Sequence, residues 1–205
     1  MSTNLFLVRH AEVEESYQRV FGGRIDMDLS PHGHTQAAAL SKYIHQLNPA
    51  AIYASPMKRV QQTLAPFLQN HAPRPTTLAD LREVDFGDWT GMGWENVRVK
   101  FGISAFEWLD QLARNAIPNA EEINGYRARV ESCVRQIVQE GSGQNVLVAC
   151  HGGVIRMVLA ILLELPLPTM AAFEIDYASV THLELRDSRV IVQSLNHTPW
   201  AHQNL

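Results

Sequence analysis

Basic and imidazole side chains follow three short apolar runs of this sequence. Arg9 and His10 come directly after "LFLV", Arg59 follows "AAIYASP" closely, and His151 comes directly after "NVLVAC". Guanidinium groups bind the oxygens of phosphate or carboxylate in pairs, and imidazole donates a further hydrogen bond. Two glycines after His151 would let backbone N–H groups approach an anion at a helix start. The sequence therefore predicts an anion site if the fold brings these runs together.

The three runs are typical of buried parallel strands, and helical segments separate them. Ser30 is a plausible N-cap, with Pro31 at the first helical position. Ligands of such sheets bind beyond the carboxyl ends of the strands. The basic and imidazole residues should therefore converge on one edge of the sheet. Helices are predicted from Pro31, from about Met57 to Gln69, around Ala105 to Arg114, around Glu121 to Glu140, and over "GGVIRMVLAILLEL".

The C-terminal part of the sequence has a different pattern. "AFEIDYASVTHLELRDSRVIVQSLNH" alternates and is rich in β-branched residues, which predicts two antiparallel strands that turn at Asp187 and Ser188. We therefore expect an α/β fold, a three-layer αβα sandwich with a mainly parallel, doubly wound sheet and an antiparallel C-terminal part. No repeat or linker divides the sequence, so a single domain over residues 1–205 is predicted.

Composition indicates which partners and which cellular location to expect. The chain has 205 residues, 46% of them hydrophobic, and a formal net charge of −4, which argues against nucleic-acid binding. The run after His151 is interrupted by Arg156 and is too short to span a membrane. Cys133 and Cys150 are too few for a disulfide framework and are expected to be buried thiols. With no signal peptide visible, a cytoplasmic location is expected; nothing in the sequence indicates an oligomeric state.

Several separated blocks resemble the histidine phosphatase superfamily, which includes the cofactor-dependent phosphoglycerate mutases. "LVRHAEV" is similar to its Arg-His-Gly-Glu motif, "ASPMKRVQQT" to its Ser-x-x-x-Arg-Ala-x-x-Thr block, and "LREVDFGDWTG" to its Glu-x-x-x-Gly-x-x-x-Gly block. "VLVACHGGVIRMVL" matches the second-histidine block, and "PNAE" is a degraded Pro-x-Gly-Glu. "FGDWTG" and "AIPNAEE" also resemble the α-ribazole phosphatases of this superfamily. The resemblance implies a phosphoglycerate mutase-like fold.

The resemblance also implies catalytic roles. His10 corresponds to the nucleophile, which forms a phosphohistidine and so divides one difficult step into two. Arg9, Arg59 and His151 correspond to the groups that bind the phosphate. Glu83 corresponds to the acid that protonates the leaving alcohol. Because the arginines neutralise the charge of the phosphate, we expect no metal ion and no other cofactor.

Residues with weaker matches are candidates for substrate binding. Ser16 stands where many relatives have a phosphate-binding asparagine, and Gly23 belongs to the matched block "GGRIDMDLSPHGHTQA". Gly152 would bring its backbone close to the anion. Arg24 and Glu121 lie near matched positions and are either pocket residues or solvated surface charges. The tryptophans Trp89, Trp94 and Trp108 are expected in the core or in a pocket wall.

The sequence thus predicts a phosphomonoesterase for a small phosphorylated metabolite, with no nucleic-acid or membrane partner. A cofactor-dependent phosphoglycerate mutase of the same fold is one alternative. A non-catalytic module that binds a phosphorylated ligand or a protein is another. The complete set of His10, Arg9, Arg59, Glu83 and His151 favours the enzyme, because a binding module has no use for a placed acid.

Overall fold

One mixed sheet of six strands organises the computed structural model, which describes residues 2–69, 73–187 and 189–201. The strands are β1 (Thr3–Arg9), β2 (Ala51–Ala54), β3 (Thr76–Thr77), β4 (Asn145–Cys150), β5 (Val180–Arg186) and β6 (Arg189–His197). Their order is β3-β2-β4-β1-β5-β6. The first four of these run parallel to one another, and β5 is antiparallel to both β1 and β6. The predicted α/β class and mixed sheet are confirmed.

The helices are α1 (Pro31–Leu47), α2 (Lys58–Leu68), α3 (Trp94–Phe101), α4 (Trp108–Ala113), α5 (Ile123–Glu140) and α6 (Gly152–Leu162). Ser30 caps α1 as predicted, because its hydroxyl accepts a hydrogen bond from the N–H of Gly33. Helix α4 is shorter than predicted, since a 3-10 turn occupies Ala105–Glu107. Helix α3 was not predicted. Only Val97 of this helix is buried, so its apolar periodicity is weak.

The central strands β1 and β4 are apolar without alternation because helices cover both faces of the sheet. Leu5 and Leu7 of β1 pack into the core with α5 and α6, whereas Phe6 and Val8 pack with α1 and α2. Successive side chains of a strand point to opposite faces, so each face of β1 receives alternate residues. The result is the predicted arrangement of three layers.

The two C-terminal strands form the predicted hairpin. Arg186 pairs with Arg189, and Asp187 lies in the turn; Ser188, the other predicted turn residue, lies outside the described residues. Cys133 and Cys150 are buried free thiols, as expected. Within the described ranges, no helix combines the length and the apolarity that a bilayer crossing requires.

Candidate active site

The register of the parallel strands brings the two histidines together. Arg9 at the end of β1 pairs with Cys150 at the end of β4, and the N–H of His10 donates to the carbonyl of Cys150 across 3.1 Å. The next residues on the two strands are therefore neighbours. The ring centroids of His10 and His151 lie 5.2 Å apart.

His10 is held with one ring nitrogen engaged and the other directed at charged groups. Its Nδ1 lies 2.8 Å from the carbonyl oxygen of Ala11. Because a carbonyl can only accept, Nδ1 carries the proton and the neutral ring keeps its lone pair on Nε2. Burial, with added repulsion from Arg59 and Arg9, holds the pKa of His10 well below its ordinary value. The ring is therefore a neutral potential nucleophile at physiological pH.

Arg59, at the start of α2, lies between the two imidazoles. Its Nε is 3.2 Å from Nε2 of His10 and also 3.2 Å from Nδ1 of His151. Its other nitrogens donate to the carbonyls of Ile25 and Gly23, at 2.8 and 3.0 Å. Burial lowers the pKa of Arg59 to about 10, so the group is still a cation at neutral pH. Arg59 thus places a fixed positive charge beside Nε2 of His10.

His151 holds Arg59 from the buried side of the site. It is fully buried, and its Nε2 lies 2.9 Å from Oγ of Ser55. Since Nδ1 accepts from Arg59, the neutral ring carries its proton on Nε2 and donates it to Ser55. Burial, and then Arg59, hold the pKa of His151 well below its ordinary value. In this state the ring touches Arg59 and His10 but is not itself part of the cavity wall.

The Arg9 side chain is fixed at the edge of the site by a backbone carbonyl and by an aromatic ring. Its Nη1 donates to the carbonyl of Ile175, and its guanidinium carbon lies 4.0 Å from the ring centroid of Tyr177. Its Nε is buried and finds no acceptor among the described residues. A buried N–H without a partner is costly, so this donor suits an anionic ligand.

Glu83 lies against the first turn of α6. Its Oε2 accepts from the N–H of Gly153 at 3.1 Å, and its Oε1 accepts from the N–H of Val84 at 3.0 Å. A Cβ atom at position 153 would clash with this carboxylate, so the close approach depends on glycine. The sequence thereby places a carboxyl group in the wall of the cavity that His10 also lines.

A partly buried ion pair supports the segment that carries Glu83. Arg129 on α5 contacts both carboxylate oxygens of Glu121, the nearer at 2.6 Å. The same guanidinium donates to the carbonyls of Asp80, Arg82 and Glu83. Glu121 therefore stabilises the Glu83 segment by holding Arg129 in place.

The site opens into a cavity of about 240 Å³. The predicted residues that line it are Arg9, His10, Gly23, Arg59, Glu83 and Gly152. Ser16, Arg24 and Glu121 are not part of the lining, so a substrate contact by any of them stays a prediction. Ser16 is exposed in the 3-10 turn Glu15–Tyr17, and Arg24 pairs with Asp85 and Glu121 at 3.9 and 3.6 Å.

Several residues of the site had no assigned role in the sequence analysis. Ser55 and Thr63 belong to the matched Ser-x-x-x-Arg-Ala-x-x-Thr block, and that block was their signal. Thr63 accepts from the N–H of Ala11 and donates to the carbonyl of Arg59, which links the segment after β1 to the start of α2. Two arginines could not be singled out from the sequence, because each is one charge among others on a helix. Arg156 lines the cavity, and Arg129 contacts the Glu83 segment.

Known proteins of similar sequence or fold are named as phosphatases. Phosphoserine phosphatase 1 of Hydrogenobacter thermophilus is 27% identical over 194 residues, which are 95% of this chain and 92% of the relative. The adenosylcobalamin/α-ribazole phosphatase of Escherichia coli is 24% identical, over 94% of this chain and 95% of the relative. A mycobacterial glucosyl-3-phosphoglycerate phosphatase has the same fold, with a TM-score of 0.85 and 23% identity, over 96% of this chain and 100% of that structure.

A family model covers nearly the whole chain. The model of the histidine phosphatase superfamily, branch 1, matches residues 5–198. That range contains both histidines, both motif arginines and Glu83, and it confirms the resemblance drawn from the sequence. This chain belongs to the histidine phosphatase superfamily.

Proposed function

We propose that the protein is a phosphomonoesterase that hydrolyses a small phosphorylated metabolite through a phosphohistidine at His10. The observation that carries the proposal is the state of the His10 ring. Nδ1 is tied to the carbonyl of Ala11, and Nε2 keeps a lone pair beside the Arg59 cation. A neutral imidazole in this setting can attack phosphorus, whereas a protonated one cannot.

In the first step, the substrate phosphate binds between Arg9 and Arg59, and Nε2 of His10 attacks phosphorus. The bond from phosphorus to the leaving oxygen breaks as the bond to Nε2 forms. Glu83 in its protonated form gives its proton to the leaving oxygen, so an alcohol departs and a carboxylate remains. The arginines stabilise the negative charge on the oxygens of the transferred group.

In the second step, the Glu83 carboxylate takes a proton from water as that water attacks the phosphohistidine. The bond from phosphorus to Nε2 breaks, inorganic phosphate leaves, and Glu83 is again protonated for the next cycle. The position of Glu83 at the cavity wall supports this double role, because the leaving alcohol and the attacking water use the same side of the phosphoryl group.

Two features favour water over a second sugar acid as the phosphoryl acceptor. Only 23 residues separate Arg59 from Glu83 in the sequence, so little chain is available there to enclose a highly charged bisphosphate. The names of the relatives also support a phosphatase, since they include a phosphoserine and an α-ribazole phosphatase.

The test compares hydrolysis with isomerisation in the same sample. The enzyme is incubated with 3-phosphoglycerate and a catalytic amount of 2,3-bisphosphoglycerate, and phosphate and 2-phosphoglycerate are both quantified. In parallel, phosphate release is measured from p-nitrophenyl phosphate and a panel of phosphorylated metabolites. We expect phosphate release that His10→Ala abolishes. Isomerisation that clearly exceeds phosphate release would establish the mutase, and binding without turnover of any ester would establish a non-catalytic module.

A further inference from the structure

The cavity around His10 has two chemically different ends. Its charged lining residues gather where the strands end: Arg9 and Arg156 flank Gly152, and Glu83 contacts Gly153. Arg59 joins them through its contact with His10. The remainder of the lining, among the described residues, carries no charged side chain. We refer to six of its rings as the aromatic wall: Tyr17, Phe21, Phe86, Trp94, Phe106 and Trp108.

The inner part of the aromatic wall is fixed by contacts between its own rings. Phe86 lies edge-to-face against Phe21, with centroids 5.0 Å apart, and against Trp108 at 5.4 Å. Phe21 and Phe86 are only 5% and 6% exposed. These distances and angles are the favourable ones for aromatic pairs, so the inner wall is held by its own packing.

The outer part of the aromatic wall is exposed to solvent. Phe106 is 77% exposed and Trp94 is 38% exposed, and their rings meet edge-to-face at 5.7 Å. Both residues line the same cavity as His10. Large apolar groups left in water at the mouth of a charged site lower the free energy when a ligand covers them.

Building on the proposed function, we propose that the aromatic wall binds the leaving group and that the preferred substrate is a phosphomonoester whose alcohol carries a flat, uncharged aromatic group. The phosphate occupies the charged end, and the ring of the leaving group lies against Phe106 and Trp94. A leaving group with a charged ammonium and carboxylate, as in phosphoserine, would lose hydration against a wall that offers no countercharge. A flat ring loses no such hydration and gains stacking contacts.

The test uses alkyl esters whose leaving alcohols all need a proton donor, so that the main difference among them is the binding of the leaving group. Values of kcat/KM are measured for 2-naphthylmethyl phosphate, ethyl phosphate, O-phosphoserine and phosphocholine, all of which release primary alcohols. We expect the naphthylmethyl ester to exceed each of the others by about tenfold or more. Phosphocholine is included because aromatic rings also attract quaternary ammonium groups.

Variants locate the preference on the aromatic wall. Phe106→Ala and Trp94→Ala should each lower the ratio of kcat/KM for the naphthylmethyl ester to that for the ethyl ester by about tenfold, mainly through KM. Val99→Ala is the matched control, because Val99 is also 77% exposed and lies on α3 outside the cavity lining. It should keep the wild-type ratio.

The outcomes separate this inference from the function on which it rests. Equal kcat/KM for all four esters, or a preference for O-phosphoserine or phosphocholine, would overturn the aromatic substrate class and leave the phosphatase intact. Absence of phosphate release from every ester, including p-nitrophenyl phosphate, would overturn both. A preference for the naphthylmethyl ester that survives Phe106→Ala and Trp94→Ala would also overturn the role of the aromatic wall.

Discussion

The Nε of Arg59 donates to Nε2 of His10 across 3.2 Å, so the guanidinium binds the nitrogen that carries the lone pair. This contact has two consequences. It disfavours protonation of the ring, and it sets a cation beside the place where a phosphoryl group would be transferred. The same Nε also reaches His151, so two imidazoles share one fixed cation.

The buried neutral histidines predict that the protein loses stability in acid. The pKa values of His10 and His151 lie well below the ordinary 6.5 in the folded chain, chiefly because burial penalises the charged ring. As the pH falls through 6.5, the unfolded chain takes up protons that the native state does not, so the free energy of unfolding falls. Between about pH 7 and about pH 5.5, each of the two should contribute a loss of about 1 kcal/mol.

Urea unfolding in phosphate-free buffer at both pH values measures this loss. His10→Gln should reduce the difference between the two pH values by about 1 kcal/mol. Val99→Ala, a change that removes no titratable group at an exposed position, should retain the wild-type difference. An unfolding free energy that does not depend on pH in this range would contradict the buried neutral rings.

Gly153 is predicted to control the position of Glu83. In Gly153→Ala the new methyl group would displace the Glu83 carboxylate, which can swing away at small cost to stability. Turnover of ethyl phosphate should therefore fall about 100-fold. Hydrolysis of p-nitrophenyl phosphate should fall much less, because its leaving group needs little protonation. Glu83→Gln should show the same selective loss, and Gly125→Ala, where a methyl group meets no neighbour, should show none.

Equal losses on both esters in Gly153→Ala would mean that the substitution disturbs phosphate binding instead of acid catalysis. Full ethyl phosphate turnover in Glu83→Gln would mean that Glu83 is not the proton donor.

Arg129 is predicted to be a positioning residue for Glu83. Lysine at this position keeps the charge, but its single nitrogen cannot reach Glu121 and the three backbone carbonyls together. Arg129→Lys should lower the free energy of unfolding by about 1–3 kcal/mol and should reduce ethyl phosphate turnover more than p-nitrophenyl phosphate turnover. Arg135→Lys changes an exposed pair with Glu131 on the same helix and should leave both rates and the stability unchanged. A stability loss without any shift in the ratio of the two rates would reduce Arg129 to a purely structural role.

Much of the site's framework could be predicted because its determinants are local. The apolar runs of β1, β2 and β4 define buried strands, and the residue after each strand must lie at its carboxyl end. The proximity of His10 and His151 follows from this rule together with the parallel pairing of β1 and β4. The motif blocks then supplied the candidates Arg59 and Glu83.

The remaining features depend on contacts between segments far apart in the sequence. The hydrogen bond from Arg129 to the carbonyl of Glu83 joins residues 46 positions apart, and no local sequence pattern near either residue predicts it. The aromatic wall combines residues from the loop after β1, from the segment after Glu83, from α3, and from the 3-10 turn and first residue at the start of α4. Trp94 and Trp108 were expected in a core or a pocket wall, and both line the cavity, whereas Trp89 is buried in the core.

The arginine-based site predicts catalysis that does not depend on an added metal ion. Activity on p-nitrophenyl phosphate should survive excess EDTA, because Arg9 and Arg59 neutralise the phosphate charge. Vanadate should inhibit competitively, since its trigonal-bipyramidal form resembles the transition state. Loss of activity in EDTA that magnesium restores would contradict this account.

Trapping of the phosphoenzyme tests the central claim most directly. The enzyme is mixed briefly with a ³²P-labelled phosphomonoester, quenched in base, digested, and mapped by mass spectrometry. Because Nδ1 of His10 donates to the carbonyl of Ala11, the account predicts an acid-labile, base-stable label on Nε2 of His10 and no label in His10→Ala. Full turnover by His10→Ala, or a label that maps to His151, would contradict it.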